Sequence, residues 1–140
     1  MRIYIASSWR NQHAVELLTA ELRRRDHEVI SFVERTVEIE GRDLRGKFDI
    51  DEWIASEDGR DKFEYDIKGA MESDLVVYIS PSGIDAWAEV GAAYSCGRPI
   101  IGLYAKGEQA GLVRRMVTWT NSVTELLAAI DDENPTPKEG

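Results

Sequence analysis

The sequence predicts one α/β domain of Rossmann-like or flavodoxin-like plan: a five-stranded parallel sheet in the order 2-1-3-4-5, with helices on both faces. Three observations lead there. Short apolar runs of strand length alternate with stretches of helical periodicity along the chain. The run Leu75-Val-Val-Tyr-Ile79 is apolar throughout, as suits a parallel strand covered on both faces. Pro81-Ser82-Gly83 then breaks that run at its carboxyl end, where open α/β sheets bind ligands. Right-handed crossovers follow from the alternation.

In order, residues 2–6 make a first strand with Ile3 and Ile5 apolar, and the polar Ser7-Ser8 pair leads from it into a helix over about 11–25. In that helix Val15, Leu18 and Leu22 form one buried stripe, while Glu21, Arg23, Arg24 and Arg25 face water. Residues 29–33 make a second strand. Residues 34–51 are acidic, glycine-punctuated and aperiodic, and read as a long excursion of the kind that is usually functional or mobile. Trp53, Phe63, Tyr65, Ile67, Ala70 and Met71 suggest one or two helices before the strand at Leu75. A helix over 85–96, a strand over 99–103, a loop containing Gly107, a short helix over 110–115, a strand over 116–119 and a helix over 122–130 complete the domain, residues 1–130. Residues 131–140, with Pro135, Pro137 and charges, read as a disordered tail.

The bulk numbers narrow the function. At 140 residues the chain is one ordinary domain with room for a sizeable core. A net charge of −9 and a pI near 4.7 argue against a nucleic-acid polymer as partner, which would need clustered Lys and Arg, but leave a small nucleotide possible. Cys96 is alone and excludes an internal disulfide; it reads as a small core residue in a reducing cytoplasm. No apolar stretch approaches membrane-spanning length, and the chain enters a strand at once without a secretory leader. His13 and His27 are isolated from other ligand types, suggest no metal site and read as surface or helix-end residues. No glycine-rich dinucleotide or P-loop fingerprint follows the first strand.

Three segments would meet at the carboxyl edge of such a sheet, residues 7–10, residues 80–89 and the loop after Leu103, and the first two flank its switch point. Ser8 and Arg10 stand with free N–H groups at a helix start and could seat a phosphate or carboxylate. A serine there is more often a plain cap; Arg10 is what a cap does not need. Asp85 and Glu89 share one face of the next helix. Among Ala86, Ala88, Val90, Gly91 and Ala92, Glu89 is either a paired or working carboxylate or a surface acid favoured by the helix dipole. Asp85 faces the same choice, with capping the stronger plain reading. Asp66 would approach the crevice if its helix packs beside the third strand, though spacing alone favours an exposed acid. Trp87 lies between the two acids and could stack on a flat base, or simply pack as most tryptophans do. Tyr4 and Tyr94 read as core.

Taken together, these residues resemble the nucleoside 2-deoxyribosyltransferase superfamily, including its 2′-deoxynucleoside 5′-phosphate N-hydrolases, over roughly residues 2–130. The most specific part is Ala86-Trp-Ala-Glu-Val-Gly-Ala-Ala-Tyr94 after the aliphatic strand and small-residue turn, followed by Gly97-Arg-Pro-Ile-Ile101. The resemblance implies that Glu89 is a nucleophile and that Asp66 supports catalysis. The opening Ile5-Ala-Ser-Ser-Trp-Arg10 is similar to the hydrolase branch and implies that Ser8 and Arg10 hold a 5′-phosphate. Transferases commonly carry an acid six residues before the nucleophile and the phosphate hydrolases a serine; here the position is Gly83, with Ser82 and Asp85 on either side as candidate substrate contacts. Family members generally form dimers or larger homo-oligomers, which makes Arg114 and Asn121 candidates to complete a neighbour's site.

The expected activity is therefore hydrolysis of the N-glycosidic bond of a (deoxy)nucleoside 5′-monophosphate, and the chemistry that the resemblance implies requires no cofactor. A deoxyribosyltransferase, an NAD glycohydrolase and a non-catalytic nucleotide-sensing module are the alternatives.

Overall fold

The structure, a computed structural model, describes residues 1–33 and 49–134. The expected excursion falls largely outside these, at 34–48, as does the expected tail from 135 to 140. Five parallel strands, β1 (Arg2–Ala6), β2 (Glu28–Ser31), β3 (Leu75–Ile79), β4 (Ile100–Leu103) and β5 (Thr118–Thr120), form one sheet in the order β2-β1-β3-β4-β5. This is the predicted topology.

The helices divide between its faces because side chains alternate along each strand. Ile3, Ile5, Leu75, Val77, Ile79 and Ile101 meet α1 (Gln12–Arg24) and α5 (Val123–Glu133) through Val15, Leu18, Leu22, Leu126 and Ile130. The intervening positions Tyr4, Ala6, Val76, Tyr78 and Ile100 meet α3 (Glu57–Glu72) and α4 (Ile84–Ser95) through Ala70, Ala86, Val90 and Ala93. A short α2 (Ile50–Ala55) precedes α3, and each starts on a side-chain cap, Asp49 and Ser56 respectively. Both α3 and α4 run down from the carboxyl edge of the sheet and pack beside each other.

Several elements differ from expectation at their ends. β2 stops at Ser31, because its last partner is Ile5 and β1 ends one residue later. The expected short helix over 110–115 is a 3-10 turn, Leu112–Met116, which holds Met116 out of the last strand. The last helix starts on the Ser122 cap and continues to Glu133, three residues past the expected end at Ile130. His27 is a helix-end residue, its N–H bonded to the Leu22 carbonyl of α1, and it is buried there with Nδ1 3.1 Å from the Met1 amine rather than on the surface. Tyr94 (55% exposed) and Cys96 are exposed rather than in the core, since Val90 and Ala93 supply the last buried turn of α4. Among the described residues no helix is long and apolar enough to cross a membrane.

Candidate active site

The carboxyl ends of β1 and β3 are sewn together by side chains of the segment after β1. Ser7 Oγ donates to the Ile79 carbonyl at 2.8 Å, and the Asn11 amide donates to the Pro81 carbonyl at 2.8 Å and to Ser7 Oγ at 3.0 Å. The segment carrying Ser8 and Arg10 is thereby fixed against the loop that launches α4. Ser8 precedes a 3-10 turn, Trp9–Asn11, yet makes no capping bond, and its Oγ is buried without a hydrogen-bond partner among the described residues. Capping therefore does not explain Ser8. Arg10 is exposed at the same edge.

Glu89 is buried one turn into α4 and accepts a short hydrogen bond from the Tyr4 hydroxyl of β1. Burial and the nearby Asp66 carboxylate push its pKa up to about 8, against the opposing effects of the Tyr4 bond and Lys62. Burial together with Glu89 raises the Tyr4 phenol well above its ordinary value, so Tyr4 stays a donor. The Tyr4 ring can lie flat under α3 because Gly69 faces it: a Cβ there would stand 3.1 Å from the ring.

From α3, Asp66 faces the same space. It is 15% exposed, not the solvated acid its spacing suggested, and both its oxygens lie 2.7 Å from Lys62 Nζ. Burial raises its pKa, opposed by Lys62. Asp85 is exposed one turn above Glu89, makes no cap, and its charge acts on both buried acids. Asp66, Asp85 and Glu89 are thus brought together between two helices, beneath the edge that carries Ser8 and Arg10. Among the described residues, no group of three or more His, Cys, Asp or Glu side chains is arranged to hold a metal ion.

Ser82 and Trp87 go elsewhere. Trp87 lies two residues, about 200° of helical turn, from both Asp85 and Glu89, and so emerges on the other flank of α4. There its ring stacks at 4.5 Å on Tyr78 and its Nε1 donates to Glu108 at 3.0 Å. Ser82 Oγ donates to the Tyr78 hydroxyl at 2.6 Å, and Tyr78 and Ser80 each donate to the buried Glu108 carboxylate at 2.7 Å. Both residues are committed to this network rather than turned toward the three acids. Gly83 is exposed, and no described residue stands within 4 Å of where its side chain would begin. Arg114 donates to the carbonyls of Glu108 and Gln109 and so braces the network's loop. Tyr4, Asn11, Lys62 and Glu108 are the residues that reading the chain missed.

This geometry can be set beside known proteins. No family model matches the sequence, and no curated protein does. Among solved structures, a 2-deoxyribosyltransferase from Bacillus psychrosaccharolyticus superposes with a TM-score of 0.65 at 22% identity, over 98% of this chain and 93% of that one. A CMP N-glycosidase from Clostridium botulinum superposes with a TM-score of 0.57, also at 22% identity, over 94% of this chain and 98% of that one. The chain has the deoxyribosyltransferase fold. Within the deoxyribosyltransferase fold, the acids held between α3 and α4 lie toward the carboxyl edge beside the β1–β3 switch point, where an open parallel sheet places its ligand.

Proposed function

We propose that the protein hydrolyses the N-glycosidic bond of a (deoxy)nucleoside 5′-monophosphate, with Glu89 as nucleophile. The observation that carries this reading is Glu89 itself: a buried carboxylate at a ligand-binding sheet edge, oriented by a phenol and faced by a second acid. Breaking an N-glycosidic bond builds positive charge on the sugar ring, which a carboxylate beneath the anomeric carbon stabilises and then captures as a glycosyl ester. The carbon–nitrogen bond breaks as the Glu89 oxygen–carbon bond forms, and the base leaves with the bonding pair and a proton. Asp66 positions the base or sugar and assists that proton delivery. Water then cleaves the ester, giving sugar 5-phosphate and restoring Glu89.

Ser8 and Arg10 would hold the phosphate, so that binding energy remote from the reacting carbon fixes its position over Glu89. The unpartnered Ser8 Oγ and the exposed Arg10 beside it support this assignment. No cofactor enters the scheme. A homodimer or larger assembly, implied by the resemblance, belongs to the same reading and is read out by light scattering.

The test is base release, followed by chromatography, from a panel of nucleoside 5′-monophosphates, the matching free nucleosides and NAD. Release confined to monophosphates is expected, with Glu89→Ala inactive and Arg10→Ala weakening monophosphate use by about 10- to 100-fold in kcat/KM, the scale of a lost charged hydrogen bond. Base exchange between free nucleosides would instead identify a transferase. Near-normal turnover by Glu89→Ala would remove the nucleophile assignment.

A further inference from the structure

Among the described residues, Lys62 is the cationic side chain whose charge is felt by both buried acids. Its side chain is 14% exposed, and its Nζ lies 2.7 Å from each Asp66 oxygen and 5.7 Å from the centre of the Phe32 ring. An exposed lysine–aspartate pair one helical turn apart contributes little to stability. Drawing such a pair out of water costs enough that two apolar side chains would serve the fold as well. The placement of this pair points to the site instead. Lys62 and Asp66, four apart on α3, face Asp85 and Glu89, four apart on α4, with Tyr4 of β1 and Tyr65 of α3 as the further ionisable groups around them.

We propose that Lys62 is a positioning residue of the cleft: it holds the Asp66 carboxylate by both oxygens and supplies the positive charge against which Glu89 can become anionic beside it. Two carboxylates sharing a dry space otherwise retain protons to high pH, because the second ionisation must oppose the first. The ammonium, one turn nearer the mouth than Asp66, offsets that repulsion, and its two contacts fix which way the Asp66 oxygens point. The mechanistic consequence rests on the function proposed above; the electrostatic consequence does not.

The test compares the wild type with Lys62→Met, close in length and uncharged, and with Lys62→Arg. Base release from a nucleoside 5′-monophosphate is followed from about pH 5 to 10, and the Glu89 carboxyl is followed independently by carbon NMR of glutamate-labelled protein. In Lys62→Met the Glu89 titration and the rising limb of kcat/KM both move upward by about one pH unit or more. Turnover near neutral pH falls about tenfold, with KM changing much less, and Lys62→Arg restores the limb. An unmoved carboxyl titration in folded Lys62→Met overturns the proposal whether or not the protein releases base. If the wild type releases no base while the carboxyl titration does move, the hydrolase reading fails and the role of Lys62 stands. Should Lys62→Met lose its cooperative melt, Lys62→Gln is read by the same two measurements.

Discussion

Replacing Glu89 by Gln should make the protein inactive and, above mildly acidic pH, more stable. A glutamate whose proton affinity rises on folding favours the folded state only while it stays protonated. With a pKa moved from 4.5 to about 8, no penalty exists below about pH 4.5; it grows through the interval and is complete above about pH 8. At about 1.36 kcal/mol per pH unit the full interval corresponds to roughly 5 kcal/mol. Water entry and relaxation reduce this, so a gain of about 2 kcal/mol for Glu89→Gln above pH 8 is the working figure. The glutamine oxygen can still accept from Tyr4, which keeps the comparison close to one of charge alone. For a domain of this size the gain is about 5–10 °C in Tm. Thermal melts of both proteins at about pH 5 and pH 8.5 provide the assay, and the Tm difference should be small at the first and several degrees at the second. A difference that is the same at both values, or a glutamine variant less stable at pH 8.5, would refute the claim that burial raises the Glu89 carboxyl.

Three other perturbations test neighbouring parts of the structure. Tyr4→Phe removes the hydrogen bond that opposes the rise in Glu89, so the rising limb of the pH–rate profile should move to higher pH by about one unit, with turnover near neutrality down about tenfold. Glu108→Ala leaves the Tyr78, Ser80 and Trp87 donors without their shared acceptor and should cost about 2–4 kcal/mol in chemical denaturation. Gly102→Ala would place a Cβ 2.5 Å from Val117 Cγ1 and 2.8 Å from the Trp119 ring, and should cost about 1–3 kcal/mol in the same assay without altering KM.

The sheet order was legible because five apolar runs of strand length, separated by helical stretches, leave few parallel arrangements open. Glu89 was half legible: its small apolar neighbours allowed either a paired carboxylate or a surface acid, and only the packing of α4 on β1 makes it the buried one. What escaped notice did so for physical reasons. A tyrosine in an apolar strand looks like core, and Tyr4 is core; its hydroxyl becomes part of the site only when α4 brings Glu89 across the sheet from 85 residues away. Glu108 sits beside a loop glycine with no local pattern to mark it, and the side chains that engage its carboxylate come from Tyr78, Ser80 and Trp87, 21 to 30 residues earlier. Lys62 and Asp66 have the spacing of an ordinary surface pair, and only the packing of α3 against α4 takes them out of water. Trp87 was placed between two acids by counting along the chain, while the helix turned it away from both.

The seam at the sheet edge is made of Ser7 and Asn11 gripping the main-chain carbonyls of Ile79 and Pro81. Its attachment to the loop is therefore indifferent to which side chains the loop carries. Gly83 lies just beyond the seam, exposed, with nothing among the described residues within 4 Å of where a Cβ would stand. A side chain can be introduced at that position without loosening the joint, so residue 83 is a place where the surface of this edge can be varied while the scaffold remains intact.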